Sequence, residues 1–276
     1  MYHQYYPTTQ PTNQKFYTPV RLRFLLFLYW NCIAIKILIN AWPLHANMRF
    51  DLHVHSLFSK DSNASFDDIL RHASQNGLDG FAICDHDSVD GGMACAKRAQ
   101  ETGSGQIVIP GVEVSSSKGH ILVLGVKENI EAGLSPEETI KRARAQGAVV
   151  VVPHPFKMTS HGIGYLEGLD IDAVEVLNSR CLTDVPNNKA RKTAEELGIA
   201  QVGGSDAHEA VMVGRSYAEI DVSERSVQAV LDAIRKGKTR PGGCKTPSSF
   251  VVKQMFAGHM KKVRTRLSKL SKSDTA

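Results

Sequence analysis

The sequence predicts an α/β fold, with a largely parallel sheet that is either open or closed into a barrel. Four segments carry the start and stop signals of helices, at residues 65–77, 135–147, 186–198 and 223–237. Apolar runs follow three of them, namely LDGFAIC, AVVVV and IAQVGG. Continuous apolar runs between helices are typical of parallel strands that are covered on both faces.

The first strand is predicted at RFDLHVHS, residues 49–56, where apolar and polar residues alternate. The first helix begins after Ser65, a typical N-cap residue. The second has Ser135 as its N-cap, Pro136 at its first position and Gly147 at its end. Further strands are predicted at IVIPGVEV, HILVLGV and DAVEVL. Strands and helices therefore alternate over most of the chain.

Charge is divided unevenly along the chain, which indicates three regions. The net charge is +5, but residues 1–47 carry +4 and residues 246–276 carry +6, which leaves −5 on residues 48–245. We therefore predict an N-terminal extension outside the main fold, a central α/β domain and a basic C-terminal tail with these boundaries. An acidic body is not typical of a nucleic-acid-binding surface, so nucleic acid is the less favoured partner.

Residues 20–46 are mostly apolar and allow three interpretations. The segment resembles a signal peptide, with Arg21 and Arg23 as its basic flank, or a membrane anchor. An anchor would bury Lys36, which costs about 2.5–3.5 kcal/mol at the middle of a membrane. We favour the third interpretation, that the segment is not part of the working protein, because Met48 directly precedes the first predicted strand.

The expected location is then the cytoplasm, and a membrane is a partner only if residues 20–46 are a real anchor. The five cysteines form no CxxC pair and no dense framework, which is typical of reduced thiols in a cytosolic protein.

Metal-ligand side chains recur where the predicted strands end. His53 and His55 alternate along the first strand, so their rings share one face about 7 Å apart. The whole set is His53, His55, Asp61, Asp85, His86, Glu113, His120, His154, Asp206 and His208. Sites in α/β folds are built at the carboxyl ends of parallel strands, and polar side chains buried there would be costly without a cation. The pattern therefore predicts a metal site.

The types of ligand indicate the metal. Imidazole and carboxylate ligands without thiolate fit Zn, Mn or Fe. At three or four protein ligands for each ion, the set predicts two to three divalent transition-metal ions. Glu113, the lone Glu among the candidates, is the natural bridge between neighbouring ions. Such ions lower the pKa of bound water and hold a phosphoryl oxygen.

The motif series DLHVHS, CDHD, GVE, GH, HPF and GSDAH resembles the PHP (polymerase and histidinol phosphatase) family over residues 48–220. The resemblance implies a distorted (β/α)7 TIM-like barrel with a metal centre, usually trinuclear, at the C-terminal ends of the strands. It implies three ligand groups: His53, His55, Glu113 and Asp206; Glu113, His120 and His154; and Asp61, His86 and His208. It also implies that Asp85 orients His86.

The resemblance further implies a hydrolase that acts on phosphoester bonds, with residues 48–245 as the catalytic barrel. The predicted substrate is a small phosphomonoester or nucleotide, attacked by a metal-activated hydroxide. The side chains predicted to bind its phosphate are Arg180, Arg215 and Lys157. The side chains predicted to protonate the leaving oxygen are Asp206, His208 and Asp85.

Three alternatives to this function stay open. One is a 5′→3′ exonuclease on short RNA or DNA. The others are a non-catalytic metal-binding module and a membrane-tethered interaction module. Outside the ligand set, Asp51 is predicted to supply an orienting hydrogen bond, and His161 is predicted to be structural or solvent-facing.

Overall fold

The computed structural model describes residues 46–158 and 161–254. The described residues form one nine-stranded sheet in the order β7-β6-β5-β4-β3-β2-β1-β8-β9. The strands are β1 (Ala46–Val54), β2 (Gly80–Ile83), β3 (Ile107–Ser115), β4 (His120–Leu124), β5 (Val149–Val152), β6 (Ala173–Asn178), β7 (Ala200–Gly204), β8 (Ser216–Val222) and β9 (Thr239–Gly243). The strands predicted from apolar runs are confirmed.

Five helices of nine or more residues connect these strands within the described ranges. They are α1 (Phe66–Gln75), α2 (Asp90–Thr102), α3 (Pro136–Ala145), α4 (Val185–Leu197) and α5 (Val227–Arg235). The predicted caps are present, since Ser65 accepts from the backbone N of Asp68 and Ser135 accepts from that of Glu138. The sequence prediction missed α2, whose N-cap residue Val89 has no side-chain oxygen and forms no capping bond.

Two strands run against the direction of the other seven in this sheet. β4 pairs antiparallel with both β3 and β5, and β8 pairs antiparallel with β1 and β9. β3 and β4 are joined by a short connection without a helix. They therefore pair antiparallel, because a parallel pair would need a longer crossover connection. As a result His120 begins its strand, where an end was predicted. It still faces the site because it pairs with Ser115 at the end of β3.

The two halves of the sheet meet, so that the sheet is nearly closed. His55 N donates to Ala207 O (2.9 Å) and Ala207 N donates to His53 O (3.3 Å). Val54 and Ala207 form a parallel bridge. We call this contact between residues 53–55 and 205–207 the seam. The predicted α/β barrel with TIM-like architecture is confirmed.

An apolar core fills the barrel interior. It takes side chains from every strand from β1 to β8, among them Phe50, Leu122 and Val151, and it includes residues of α5. Because alternate residues of a strand share a face, Ile109 of β3 is followed on the interior by Glu113, and Ala173 of β6 is followed by Glu175. Both carboxylates are buried. The candidate site therefore lies directly above the apolar core.

The ends of the main fold differ from the predicted boundaries. β1 begins at Ala46, which pairs with Val222, so the boundary expected between residues 47 and 48 lies inside a strand. Residues 246–254 pack on the barrel, since Thr246 and Val251 are buried and residues 248–254 are helical. This part of the predicted tail is therefore not a solvated extension.

The apolar run of the predicted extension and the rest of the predicted tail lie outside the described residues. Among the residues that the structure describes, no helix is both long enough and apolar enough to cross a membrane.

Candidate metal centre

Glu113 lies at the middle of the candidate centre and is 1% exposed. Five rings place a nitrogen within 3.5 Å of its carboxylate oxygens: His53, His55, His86, His120 and His154. Burial opposes the ionisation of Glu113, but the charges of His120 and His53 outweigh burial and hold the pKa of its carboxyl well below the ordinary value. Glu113 is therefore an anionic group between several nitrogen ligands.

His53 and His55 present the same nitrogen to this centre. Their Nε2 atoms lie 3.2 Å apart, whereas Nδ1 of His53 lies 3.2 Å from Glu175 Oε1 and Nδ1 of His55 lies 3.2 Å from Ser59 Oγ. Metal-bound histidines commonly use the second ring nitrogen in this way, which fixes the ring. Burial lowers the pKa of His55 to about 3, so its ring is neutral, as a metal ligand requires.

Asp61, which is exposed, joins His86 to a further histidine, His208. Its Oδ2 lies 3.2 Å from His208 Nε2 and 3.5 Å from His86 Nε2. The ring of His208 also lies against that of His55, with centroids 4.2 Å apart. The group expected from the sequence, Asp61 with His86 and His208, is thus brought together.

Four groups of three side chains place their ligand atoms within 4.8 Å of one another. They are His53, His55 and Glu113; His86, Glu113 and His120; His55, His86 and His208; and His53, His154 and Asp206. Neighbouring groups share members, which is the arrangement that adjacent ions need. His154 groups with His53 and Asp206 here, although its Nε2 also lies 3.2 Å from Glu113 Oε1.

The donor set fits a divalent transition metal. It consists of imidazole nitrogens and carboxylate oxygens, with no thiolate among the grouped residues. Nδ1 of His154 is buried and has no hydrogen-bond partner, a cost that a cation bound to that atom would remove.

Backbone strain accompanies two of the ligand candidates. His154 has φ 31° and Asp206 has φ 53°, in the left-handed region that non-glycine residues seldom adopt. Each lies two residues beyond the end of a strand, β5 for His154 and β7 for Asp206, and the backbone N of His154 donates to Glu175 Oε2 (2.9 Å). Gly204 is required nearby, because a Cβ there would clash with Glu175 Oε1 and His53 Cβ.

Glu175 supports two of the candidate ligands and was missed in the prediction from the sequence. Besides its contacts with His53 and His154, it accepts from Asn178 Nδ2 (2.8 Å). A carboxylate inside the apolar strand AVEVL was the available signal, because a buried charge needs partners. Ser59 was missed as well, although it connects His55 to Asp85.

Two of the three predicted phosphate-binding side chains line the cavity at the centre. Lys157 Nζ donates to Asp206 Oδ2 (3.1 Å) and Arg180 Nη1 donates to Asp206 Oδ1 (3.1 Å). Burial opposes the ionisation of Asp206, but Lys157 and Arg180 hold the pKa of its carboxyl well below the ordinary value. The cavity has a volume of about 430 Å³.

Arg215 does not line this cavity, contrary to the sequence prediction. Its Nη1 lies 3.9 Å from Cys244 Sγ, and its carbonyl accepts from Cys244 N (2.7 Å). The residue precedes β8, whose pairing with β9 carries it to the outer part of the sheet. Its side chain therefore lies by Cys244, outside the lining of the cavity.

Asp85 and Asp51 support the backbone. Asp85 accepts from Ser56 N (2.7 Å) and Ser59 Oγ (2.7 Å) and does not line the cavity. It was expected to orient the His86 ring; instead it fixes the turn at Ser59, which accepts from His86 N. Asp51 accepts from Ser205 N (2.9 Å) across the seam, and burial raises its pKa to about 6.

His161 lies at the edge of the centre. It is exposed, as predicted, but it also lines the cavity and stacks on His120, with centroids 4.6 Å apart and rings inclined by 15°. Its carbonyl accepts from His120 N (3.0 Å), so it fixes the position of a candidate ligand.

Comparison with known proteins agrees with this architecture. A family model described as the PHP domain matches residues 51–134, and one described as PHP-associated matches residues 185–239. An uncharacterized protein of Methanocaldococcus jannaschii is 35% identical over 162 residues, which are 54% of this chain and 94% of that protein. A phosphoribosyl 1,2-cyclic phosphate 1,2-diphosphodiesterase of Eggerthella lenta is 38% identical over 88 residues, 30% of this chain and 32% of that enzyme.

A solved structure shares the fold. It is a two-domain protein from Bacteroides vulgatus that contains a predicted PHP-like metal-dependent phosphoesterase, with a TM-score of 0.59 and 19% identity. The match covers 71% of this chain and 65% of that protein. With the matched family regions and the jannaschii relative, the barrel shows that the chain belongs to the PHP family and is a hydrolase of the phosphoesterase class.

Proposed function

We propose that the chain hydrolyses a small phosphomonoester or nucleotide with two to three divalent ions of Zn, Mn or Fe. The observation that carries this proposal is the position of Glu113, among five imidazoles at the base of a cavity that Lys157 and Arg180 also line. Ligand groups that share members support neighbouring ions, and two nearby cations support an anionic substrate.

The residues that would hold the ions follow the three groups expected from the sequence. They are His53, His55, Glu113 and Asp206 for one ion, Glu113, His120 and His154 for a second, and Asp61, His86 and His208 for a third. Bound there, the ions would lower the pKa of water and polarise the phosphoryl oxygen.

Lys157 and Arg180 are proposed to bind the phosphate oxygens. In the present arrangement both side chains contact Asp206, whose charge a bound ion would engage. Their donors can then turn to a phosphate, for which the planar guanidinium of Arg180 is well suited. They would orient the phosphoryl group and stabilise the charge that develops on it.

Of the three predicted proton donors, we favour His208. Asp206 is held ionised by its two cationic neighbours, so it has no proton to give. Asp85 does not line the cavity, whereas His208 does. In the three-ion arrangement His208 binds the third ion, and a ring nitrogen that binds an ion cannot donate a proton. His208 is therefore the proton donor only in a centre of two ions, in which the third position is empty.

The test combines metal analysis with turnover. Metal-supplemented protein is expected to hold two to three ions per chain and to hydrolyse p-nitrophenyl phosphate. A chelator should remove this activity, and added Zn²⁺, Mn²⁺ or Fe²⁺ should restore it. The Glu113→Gln variant, purified in parallel, measures contaminating phosphatase. Less than one ion per chain would contradict the metal cluster.

Phosphodiester hydrolysis is the second candidate, and the similarity to the Eggerthella lenta phosphodiesterase favours it. Faster turnover of bis(p-nitrophenyl) phosphate than of the monoester would support this candidate. Release of mononucleotides from a labelled oligonucleotide would identify the exonuclease alternative. Metal binding without turnover of any of these esters would support the non-catalytic module.

Arg180 and Arg215 form a matched pair for the phosphate-binding role. Arg180→Ala is expected to raise KM for p-nitrophenyl phosphate about tenfold or more, since a hydrogen bond to a charged group contributes about 1.5–3 kcal/mol. Arg215→Ala should leave KM unchanged because the side chain lies by Cys244. Metal content, measured in both, should stay that of the parent. Equal effects of the two substitutions would contradict the assignment.

A further inference from the structure

The cavity is lined by two kinds of side chain. One kind comprises the candidate metal ligands with Lys157 and Arg180. The other comprises Met158, Leu182, Pro186 and Val251, which we call the apolar wall. Thr183 adds a polar group to the lining, but it is exposed to solvent. A ligand that fills the cavity therefore meets both charged groups and apolar surface.

Three separate segments build the apolar wall. Met158 follows β5, whereas Leu182 and Pro186 flank the start of α4. Val251 belongs to residues 248–254, beyond β9, and is buried. That segment is held in place by Thr246, whose N donates to Ser179 O (2.7 Å). The wall is thus anchored to the end of β6, close to Arg180.

The outer members of the wall are unusually exposed for their size. Met158 is 95% exposed and Leu182 is 43% exposed, and both border the cavity. Large apolar side chains that are exposed to solvent and also line a cavity are typical of ligand contact. The volume of about 430 Å³ also lies in the range of sites that hold a phosphate together with an organic group.

We propose that the apolar wall binds the alcohol portion of the substrate, and that the substrate class is a phosphomonoester of an alcohol with a large apolar group. This inference rests on the proposed function, in which Lys157 and Arg180 bind the phosphate. With the phosphate bound at Lys157 and Arg180, the organic group occupies the rest of the cavity, where the wall supplies apolar contacts. A sugar or polyol would instead place hydroxyl groups against side chains that offer them no hydrogen bonds.

Benzyl phosphate and ethyl phosphate test the wall, because they release alcohols of similar acidity and differ mainly in the ring. The metal-loaded protein is expected to prefer benzyl phosphate by about tenfold or more in kcat/KM, since one added methylene alone gives about 10–200-fold in an apolar pocket. The double variant Met158→Gln/Leu182→Asn should lose most of this preference. Leu197→Asn is the matched control, since Leu197 is 41% exposed and does not line the cavity.

Binding of benzylphosphonate and ethylphosphonate, which cannot be hydrolysed, is measured by calorimetry on the same proteins. Preference for benzylphosphonate, lost in the double variant and kept in Leu197→Asn, would support the wall even without turnover. Turnover of both esters without preference in either assay would overturn the wall and keep the proposed function. A preference in binding with no turnover of any ester would overturn the proposed function alone. Absence of both would overturn both.

Discussion

Replacing Glu113 with Gln is expected to lower kcat/KM for p-nitrophenyl phosphate by about 10³-fold or more, which corresponds to about 4 kcal/mol of transition-state stabilisation. The carboxylate lies within 3.5 Å of five ring nitrogens, so it can serve two ions and balance their charge. An amide has the same shape but offers one oxygen and no charge. Steady-state kinetics with metal analysis of the purified variant measure the effect.

Glu175→Gln is the matched control for this substitution. Glu175 is equally buried and touches His53, but it lies behind the ligands. Loss of such a supporting group commonly costs about 10–100-fold. If Glu113→Gln turned over substrate as well as Glu175→Gln does, and His154→Ala were inactive, Glu113 would not be the bridging group.

Removal of the metal is expected to lower the free energy of unfolding strongly. An ion that binds only the folded chain contributes about 4 kcal/mol when its free concentration is a thousand times its Kd. The ligand atoms belong to strands that are far apart in sequence, so an unfolded chain does not assemble the centre. Urea unfolding with and without a chelator is the measurement, and the midpoint should fall on chelation.

Substitutions of His120 and His161 distinguish the loss of a bound ion from a general effect of the chelator on stability. Their rings stack, but only His120 belongs to a group of candidate ligands. His161→Ala should therefore keep a stabilisation by metal close to that of the parent, and His120→Ala should lose part of it. An unfolding midpoint that does not respond to chelation in the parent protein would exclude tightly bound ions.

The ligand set was predictable because its signal is local. Each candidate ligand except Asp61 stands beside an apolar run, and such runs were recognised without knowledge of their partners. The direction of a run is not local, which is why His120 was placed at a strand end when it begins β4. His120 was still assigned to the correct edge of the sheet, since an antiparallel strand begins at the edge where its neighbour ends.

Side-chain direction and support could not be read from the sequence. Arg180 follows β6 and Arg215 precedes β8, so both stand at strand ends, yet only Arg180 lines the cavity and Arg215 lies by Cys244. Glu175 was hidden inside a strand that reads as apolar. Val251 lies in a segment whose basic composition is typical of a solvated tail, and long-range contacts at Thr246 decide its burial.

The seam has a consequence for the order of folding. Asp51 accepts from the backbone N of Ser205, 154 positions along the chain, and His53 and His55 stand beside these bonds. Closing so long a loop is among the later and slower events of folding, since chain entropy is lost before the contacts form. Ions that need ligands from both sides of the seam bind after it closes. They should therefore slow unfolding and leave the rate of folding unchanged.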